Sequence, residues 1–278
     1  MMEVYPPSIP EGGNAMKPDA LHGVPETMLQ TLYARARESM KADRHIYDAK
    51  AIDIVRSLDY DFSRAEQDPA MYTGVVARTI LLDRMVGKFL DSHPNTVVVN
   101  IGCGLDTRCC RMEGRFCRWY NLDLPQTMEV RSRFFREEGP VYQIGVSAME
   151  LAWTAEIQQT DEPVLVIIEG LSMYLQKTDI QQIFRILDLR FLHATVFCEV
   201  MSPWVVRHVK EKSIEGTSAK FTWGISSGAE LAAIVPGWQS VEDRSLAEGM
   251  KVLTPAYHVL GRIPLVRNVS NKILVLEK

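Results

Sequence analysis

The stretch from Thr96 to Arg108, TVVVNIGCGLDTR, constrains this chain more than any other. A β-branched run feeds straight into Gly102-Cys103-Gly104, which reads as a buried parallel strand ending in a tight turn. Glycine lets the backbone bend sharply there, and it lets a bound molecule come close where a Cβ would collide. The residues before this strand read as a cover over it. Those after it read as the rest of its sheet.

An alternating pattern follows. Strands are predicted at Val97–Ile101, Arg118–Leu124, Val141–Val146, Pro163–Gly170, Ala194–Val200, Trp238–Asp243 and Lys272–Leu276. Pro163–Gly170 is the most apolar run, as a central strand should be. Helices are predicted from Thr107, over Gln126–Glu138, from Thr178 with Gln181 completing a capping box, and from Ser227 with Glu230 to Pro236-Gly237. Five βα steps, a further helix and two terminal strands give the order of a seven-stranded, doubly wound α/β sheet of the Rossmann-like kind. Ahead of the sheet, apolar residues recur at helical spacing from Thr27 to Met40, Asp48 to Leu58 and Tyr72 to Leu90, with a polar loop at Tyr60–Pro69. The expected organisation is a single domain over 1–278. It has a flexible arm at 1–20, a helical cap at 21–95, and a core at 96–278 with an insert near 202–225.

Of the 278 residues, 46% are hydrophobic and 24% charged, an ordinary globular balance. A formal net charge of -4 argues against a nucleic-acid partner. No apolar run reaches the roughly 18–20 residues that span a bilayer, so no membrane partner is expected. Met1–Pro7 has neither a basic nor an apolar leader region, and the five cysteines are odd in number. Reduced thiols and a cytoplasmic location are the expectation. Cys103, Cys109, Cys110 and Cys117 match no paired CxxC spacing, so no metal is expected.

In an open α/β sheet a ligand lies beyond the carboxyl ends of the strands. The candidate ends are Gly102, Cys103 and Gly104, then Asp123, then Gly145–Ala148, then Glu169 and Gly170. Asp123 lies about 20 residues past the glycine turn, where a carboxylate can accept both hydroxyls of a ribose. Thr107 stands where a dinucleotide loop would carry its third glycine. A loop with no phosphate to cradle suits the adenosine of S-adenosylmethionine (SAM). The methionine carboxylate of SAM needs a cation, and Arg78, beside the apolar stripe of the helix before the first strand, is best placed. An arginine in that position either snorkels or pairs with a buried anion.

Together these residues make a resemblance. Val98–Arg108 resembles the GxGxDTR loop of the leucine carboxyl methyltransferase-like family, which includes the tetracenomycin-type polyketide O-methyltransferases. Gly23–Thr27 with Leu32–Ala36 is similar to that family's N-terminal signature, and Arg78-Thr79 with Asp83 to its Arg-Thr…Asp helix. Asp123-Leu124-Pro125 resembles its ribose-binding segment, Glu169–Leu175 its EGxxxYL segment, and Phe221–Trp238 its late Phe-to-Gly-Trp stretch.

The resemblance implies a SAM site. Arg78 would hold the carboxylate, Gly102, Cys103 and Gly104 would line the loop, and Asp123 with Leu124 would meet the ribose. Glu169 and Gly170 would face the amino end, and Arg35 and Tyr174 would border the transferred methyl as the catalytic pair. One segment departs from the family. An acid followed by leucine usually comes after strand three, but Ile144–Ala148 has none. Ser147 or backbone carbonyls would then take the adenine amine, and weaker adenine recognition is expected.

The implied activity is SAM-dependent O-methylation of a carboxyl or phenolic oxygen on a small-molecule acceptor. The alternatives are carboxyl methylation of a protein C-terminus and a SAM-binding sensor without catalysis. A carboxylate acceptor is already ionised at neutral pH, whereas a phenol gains from a base. His45, His208 and His258 are the candidate bases. Trp204, Phe221, Trp223 and Met201 could line an aromatic pocket or belong to the core. These motifs encode neither the acceptor nor the oligomeric state.

Overall fold

The computed structural model describes residues 26–208, 220–263, 266 and 269–278. The predicted arm, the signature residues Gly23–Pro25 and positions 209–219 of the insert lie outside the described residues. Strands β1 (Val97–Ile101), β2 (Arg118–Asp123), β3 (Val141–Gly145), β4 (Val164–Ile168), β5 (Thr195–Val200), β6 (Gln239–Ser245) and β7 (Lys272–Glu277) form one sheet. Their order is β3-β2-β1-β4-β5-β7-β6. Strands β1 to β5 run parallel, and β7 inserts antiparallel between β5 and β6. The doubly wound α/β sheet expected from the sequence is therefore present.

The helices are α1 (Glu26–Ser39), α2 (Ala49–Ser57), α3 (Ser63–Glu66), α4 (Pro69–Ser92), α5 (Arg108–Arg111), α6 (Pro125–Arg131), α7 (Lys177–Arg190), α8 (Pro203–His208), α9 (Gly228–Ala232), α10 (Ala247–Leu253) and α11 (Tyr257–Leu260). Alternate residues of the central strands face opposite cores, as the period of a strand requires. Val97, Val99 and Ile101 pack with Ile180, Ile183 and Phe184 of α7. Val98, Leu165 and Ile167 pack with Leu81, Leu82 and Val86 of α4. A third cluster joins Leu29, Leu32 and Ala36 of α1 and Ile52 and Ile54 of α2 to Leu105 and Val130. The cap thus presses on the glycine turn itself, which ties the position of the turn to the packing of α1 and α2.

Register sets the site. Ile101 pairs with Leu122 on one side and with Ile168 on the other, and Ile168 pairs with Cys198. The next residues, Gly102, Asp123, Glu169 and Glu199, therefore stand in one row across four parallel strands.

Several predicted boundaries shift, each for a local reason. Helix α4 starts at Pro69 rather than Tyr72, because the Asp68 carboxylate accepts the Met71 N–H at 2.9 Å and Pro69 fits the first turn. The predicted loop before it contains the single turn of α3. Helix α7 starts at Lys177, one residue before the predicted cap: Asp179 accepts the Gln176 N–H at 2.8 Å, while Gln181 reaches away to Ile234 O. The helix predicted from Thr107 lasts one turn before Gly114 turns the chain with φ +77°. The helix predicted over Gln126–Glu138 ends at Arg131, and the chain beyond it folds back so that Glu137 meets the Arg131 guanidinium at 2.6 Å.

Candidate active site

The turn after β1 needs both glycines. Gly102 has φ +67° and Gly104 has φ +48°, a region costly for any residue with a Cβ. A Cβ on Gly102 would sit 2.9 Å from Leu171, and one on Gly104 would sit 2.7 Å from the Met28 sulfur. The backbone of the turn is pinned from outside. Arg131 donates to Gly104 O and Asp106 O, each at 2.8 Å, and Arg35 donates to Leu105 O at 2.9 Å.

Asp123 ends β2 beside this turn. One of its oxygens accepts the Gly104 N–H at 2.8 Å and the other accepts the Leu124 N–H at 2.7 Å. A carboxylate offers about four acceptor positions, so with the Thr127 hydroxyl as a third donor it still retains capacity for a further one. Burial pushes its pKa above the ordinary carboxylate value, and the two backbone donors, the Thr127 hydroxyl and the charge of Arg131 offset only part of that.

A dense ionic cluster lies at the ends of β4 and β5. Glu169 contacts Arg78 Nε with one oxygen and Arg108 Nη2 with the other, both at 2.7 Å. Arg108 also meets Asp83 at 2.7 Å and Asp106 at 2.9 Å. Arg111 joins Asp83 at 2.7 Å and Asp48 at 2.8 Å, and Asp48 also takes Arg35 at 3.1 Å. Burial raises the carboxyls of Asp83, Asp106 and Glu169. The neighbouring arginines outweigh it, so all three fall below their ordinary values. Buried charges persist only when paired in this way.

One cavity of about 1090 Å³ joins these parts. Its lining includes Arg35, Arg78, Gly102, Cys103, Gly104, Asp106, Asp123, Leu124, Glu169, Gly170 and Tyr174. Its volume suits a ligand larger than most fragments, since small-molecule pockets run to about 300–1,000 Å³. Leu171, Met173, Tyr174, Met201 and Phe221 make an apolar wall on the β4–β5 side, and Tyr174 packs against Phe221 with ring centroids 5.4 Å apart.

The matching family model covers residues 28–188, more than half of the chain, and describes leucine carboxyl methyltransferases. The chain belongs to that family. The tetracenomycin polyketide synthesis O-methyltransferase of Streptomyces glaucescens is 34% identical over 82% of this chain and 85% of its own length. A SAM-dependent methyltransferase of Gibberella zeae is 29% identical over 78% of this chain and 80% of its own. A protein from Thermobifida fusca described as a methyltransferase shares the fold at TM-score 0.57 and 8% identity, covering 94% of this chain and 97% of that one. The protein is thus a SAM-dependent methyltransferase by family, as the motifs implied, and SAM is its cofactor.

The residues present in the methyltransferase fit that cofactor. A turn held at positive φ by two glycines, a carboxylate with acceptor capacity to spare, and a cation between acids meet in one cavity. The structure brings together every predicted site residue except Ser147. That side chain lies past β3, accepts the Met149 N–H at 3.3 Å and does not line the cavity. Arg35 lines the cavity, but its guanidinium is engaged by Asp48 and Leu105. The alternatives left open for Arg78 resolve to pairing with buried anions, Glu169 and Glu199.

None of the candidate bases lines the cavity. His45 pairs with Glu38 at 2.9 Å, His208 bonds Trp204 O, and His258 lies on α11. Met201 and Phe221 belong to the lining, while Trp204 is exposed on α8 and Trp223 packs against the sheet core. Sequence reasoning missed Glu199, Arg131 and the role of Asp48. The only available signal for Glu199 was a lone acid within an apolar strand.

Among the described residues no helix is long and apolar enough to cross a membrane.

Proposed function

We propose that this methyltransferase transfers the methyl of SAM to a carboxyl or phenolic oxygen of a small molecule. The observation that carries this reading is the shared cavity, which joins a polar cofactor wall at β1, β2 and β4 to an apolar wall of Met173, Met201, Tyr174 and Phe221. Such a wall suits the body of a small acceptor better than a charged peptide tail.

When bound, SAM supplies a methyl group on a positively charged sulfur, ready for in-line displacement. Asp123 accepts the ribose hydroxyls with the lone pairs that Gly104 and Leu124 leave open. The Gly102–Gly104 turn, with Cys103 and Leu124, shapes the adenosine wall. Arg78 holds the methionine carboxylate, and Glu169 with the Gly170 turn faces the ammonium. Tyr174 donates its hydroxyl to the acceptor oxygen and aligns it. Arg35 acts through Leu105 O, fixing the loop beside which the methyl moves. Alignment and removal of water are the main catalytic tasks in such a displacement. A carboxylate acceptor needs no base, in keeping with a described lining that holds no histidine.

Calorimetry with SAM and S-adenosylhomocysteine (SAH), followed by a radiolabelled methyl screen over small carboxylic acids, phenols and peptides, tests the proposal. Label on a small acid or phenol supports it. Label only on peptide C-termini moves the assignment to protein carboxyl methylation. Cofactor binding with no transfer to any class makes the protein a sensor.

A further inference from the structure

Glu199 is the fourth member of the row of strand-end residues, and no part of the mechanism above uses it. It is 1% exposed, at a strand position otherwise filled by apolar side chains. Its carboxylate accepts the Gly170 N–H at 2.7 Å and meets Arg78 Nη1 at 3.1 Å, and its third partner is the side chain of Asn271. Holding the Gly170 N–H does not require a charge, because a glutamine amide oxygen would accept it equally. The turn has a second anchor as well, since Ser172 donates its hydroxyl to the Glu199 backbone carbonyl. A buried negative charge is costly unless a cation answers it, and the cation here is Arg78.

The geometry around Arg78 explains what that charge does. The arginine comes from α4 on a long, flexible side chain, opposite the sheet. Glu169 lies 2.7 Å from its Nε, an ion pair without hydrogen-bond alignment, and Glu199 accepts a hydrogen bond from its Nη1 at 3.1 Å, from two adjacent strands. Two anchors on different nitrogens fix both the position and the plane of a guanidinium; one anchor leaves it free to pivot. Glu169 divides its oxygens between Arg78 and Arg108, so it supplies only one of the two.

We propose that Glu199 is a positioning residue of the cofactor site, aiming the Arg78 guanidinium at the methionine carboxylate of SAM. This rests on the assignment of Arg78 to that carboxylate. Glu199 makes no contact with the cofactor itself and acts only through the orientation of Arg78.

The test is calorimetry on the whole protein and on Glu199→Gln with two probes, SAH and 5′-methylthioadenosine. Both carry the adenosine and a thioether, but only SAH has the amino-acid end. The expected result is about tenfold weaker SAH binding, the scale of one hydrogen bond to a charged group, with methylthioadenosine affinity unchanged. Glu199→Asp keeps the charge and is expected to recover part of the SAH affinity. Unchanged SAH affinity in Glu199→Gln overturns the proposal. Equal weakening of both probes also overturns it, because it makes Glu199 a support of the sheet alone. Failure of the unmodified protein to bind SAH would instead remove the functional reading, before any variant is considered.

Discussion

The two ends of the cofactor wall are built on opposite electrostatic plans. At the ends of β4 and β5, Arg78, Arg108 and Arg111 interleave with Asp83, Asp106, Glu169 and Glu199, so each charge meets at least one opposite charge, although at Glu199 burial outweighs Arg78 and raises the pKa. At the end of β2, Asp123 meets two backbone N–H groups and the Thr127 hydroxyl, with Arg131 acting on it through its charge, and still sits above its ordinary pKa because burial outweighs them. The first region is self-sufficient, and its order does not depend on a ligand. The second has acceptor capacity that its own chain leaves unfilled. Recognition thus draws on residues the first region also uses for its own order, Arg78 and Glu169, and on an acid in the second that its own chain leaves partly unfilled.

The sharpest way to break this contrast is to remove Arg108. It is buried among three carboxylates, and Arg108→Met leaves two of them, Asp106 and Glu169, without their main cation. A loss of about 3–5 kcal/mol is expected, the usual scale for breaking a buried ion pair from one side, and urea unfolding measures it. The cluster also ties stability to pH. Asp83, Asp106 and Glu169 have folded pKa values below their unfolded ones, so the unfolded chain binds more protons in acid. Their contribution is full above the unfolded carboxylate range, near pH 4, and is lost as pH falls below it. Asp123 has the opposite sign: its folded pKa is raised, so its ionised form opposes folding at neutral pH. Urea midpoints measured from pH 7 down to pH 3 should therefore fall steeply for the unmodified protein, less steeply for Asp106→Asn, and more steeply for Asp123→Asn, which loses the one term that offsets the fall.

Asp123→Asn probes the other side. The fold should persist at neutral pH, while SAH binding weakens by about 1.5–3 kcal/mol, the scale of hydrogen bonds to an ionised group. Calorimetry that finds equal affinity would remove Asp123 from the ribose. Gly104→Ala lies between the two plans, because the turn serves both. Its φ of +48° alone costs about 1–2 kcal/mol with a Cβ, and the contact with Met28 adds to that. A lowered melting temperature together with weakened SAH binding is expected. The smallest effect belongs to Ser147→Ala, whose side chain does not reach the cavity. Its SAH affinity should match the unmodified protein, and any clear loss would bring the adenine side into the recognition scheme.

The sequence made the first region only half legible. Glu169 and Arg78 stand out because each is a charge beside an apolar run, one at a strand end and one on a helix stripe. Asp48 lies beside a helix that looks ordinary in one dimension, Asp83 is marked only by its place in the Arg-Thr…Asp helix, and packing of the cap brings them to Arg108 and Arg111. Glu199 escaped for a different reason. A strand predicted to run to Val200 hides which of its residues is level with Ile168, and that register comes from pairing. Asp123 and the glycine turn were legible because their function requires residue types that strands otherwise avoid. Boundaries erred where side chains competed for one cap, as with Asp179 over Gln181, or where a buried arginine drew the chain back, as Arg131 does to Glu137.

The insertion of β7 between β5 and β6 has a consequence for how this protein is made. Residues Thr195–Val200 pair with residues Lys272–Glu277, which follow β6 in the chain. Until those arrive, β5 is an open edge, able to pair with a strand of another molecule. Such distant pairing is slow to form compared with local contacts. Glu199 sits on that strand opposite Ile273, so the cofactor wall is closed late, by a segment that shares none of the recognition motifs. A ligand that needs the finished wall stabilises only molecules that have completed this step. In a cell, cofactor supply would then act on the yield of folded protein as well as on its rate of turnover.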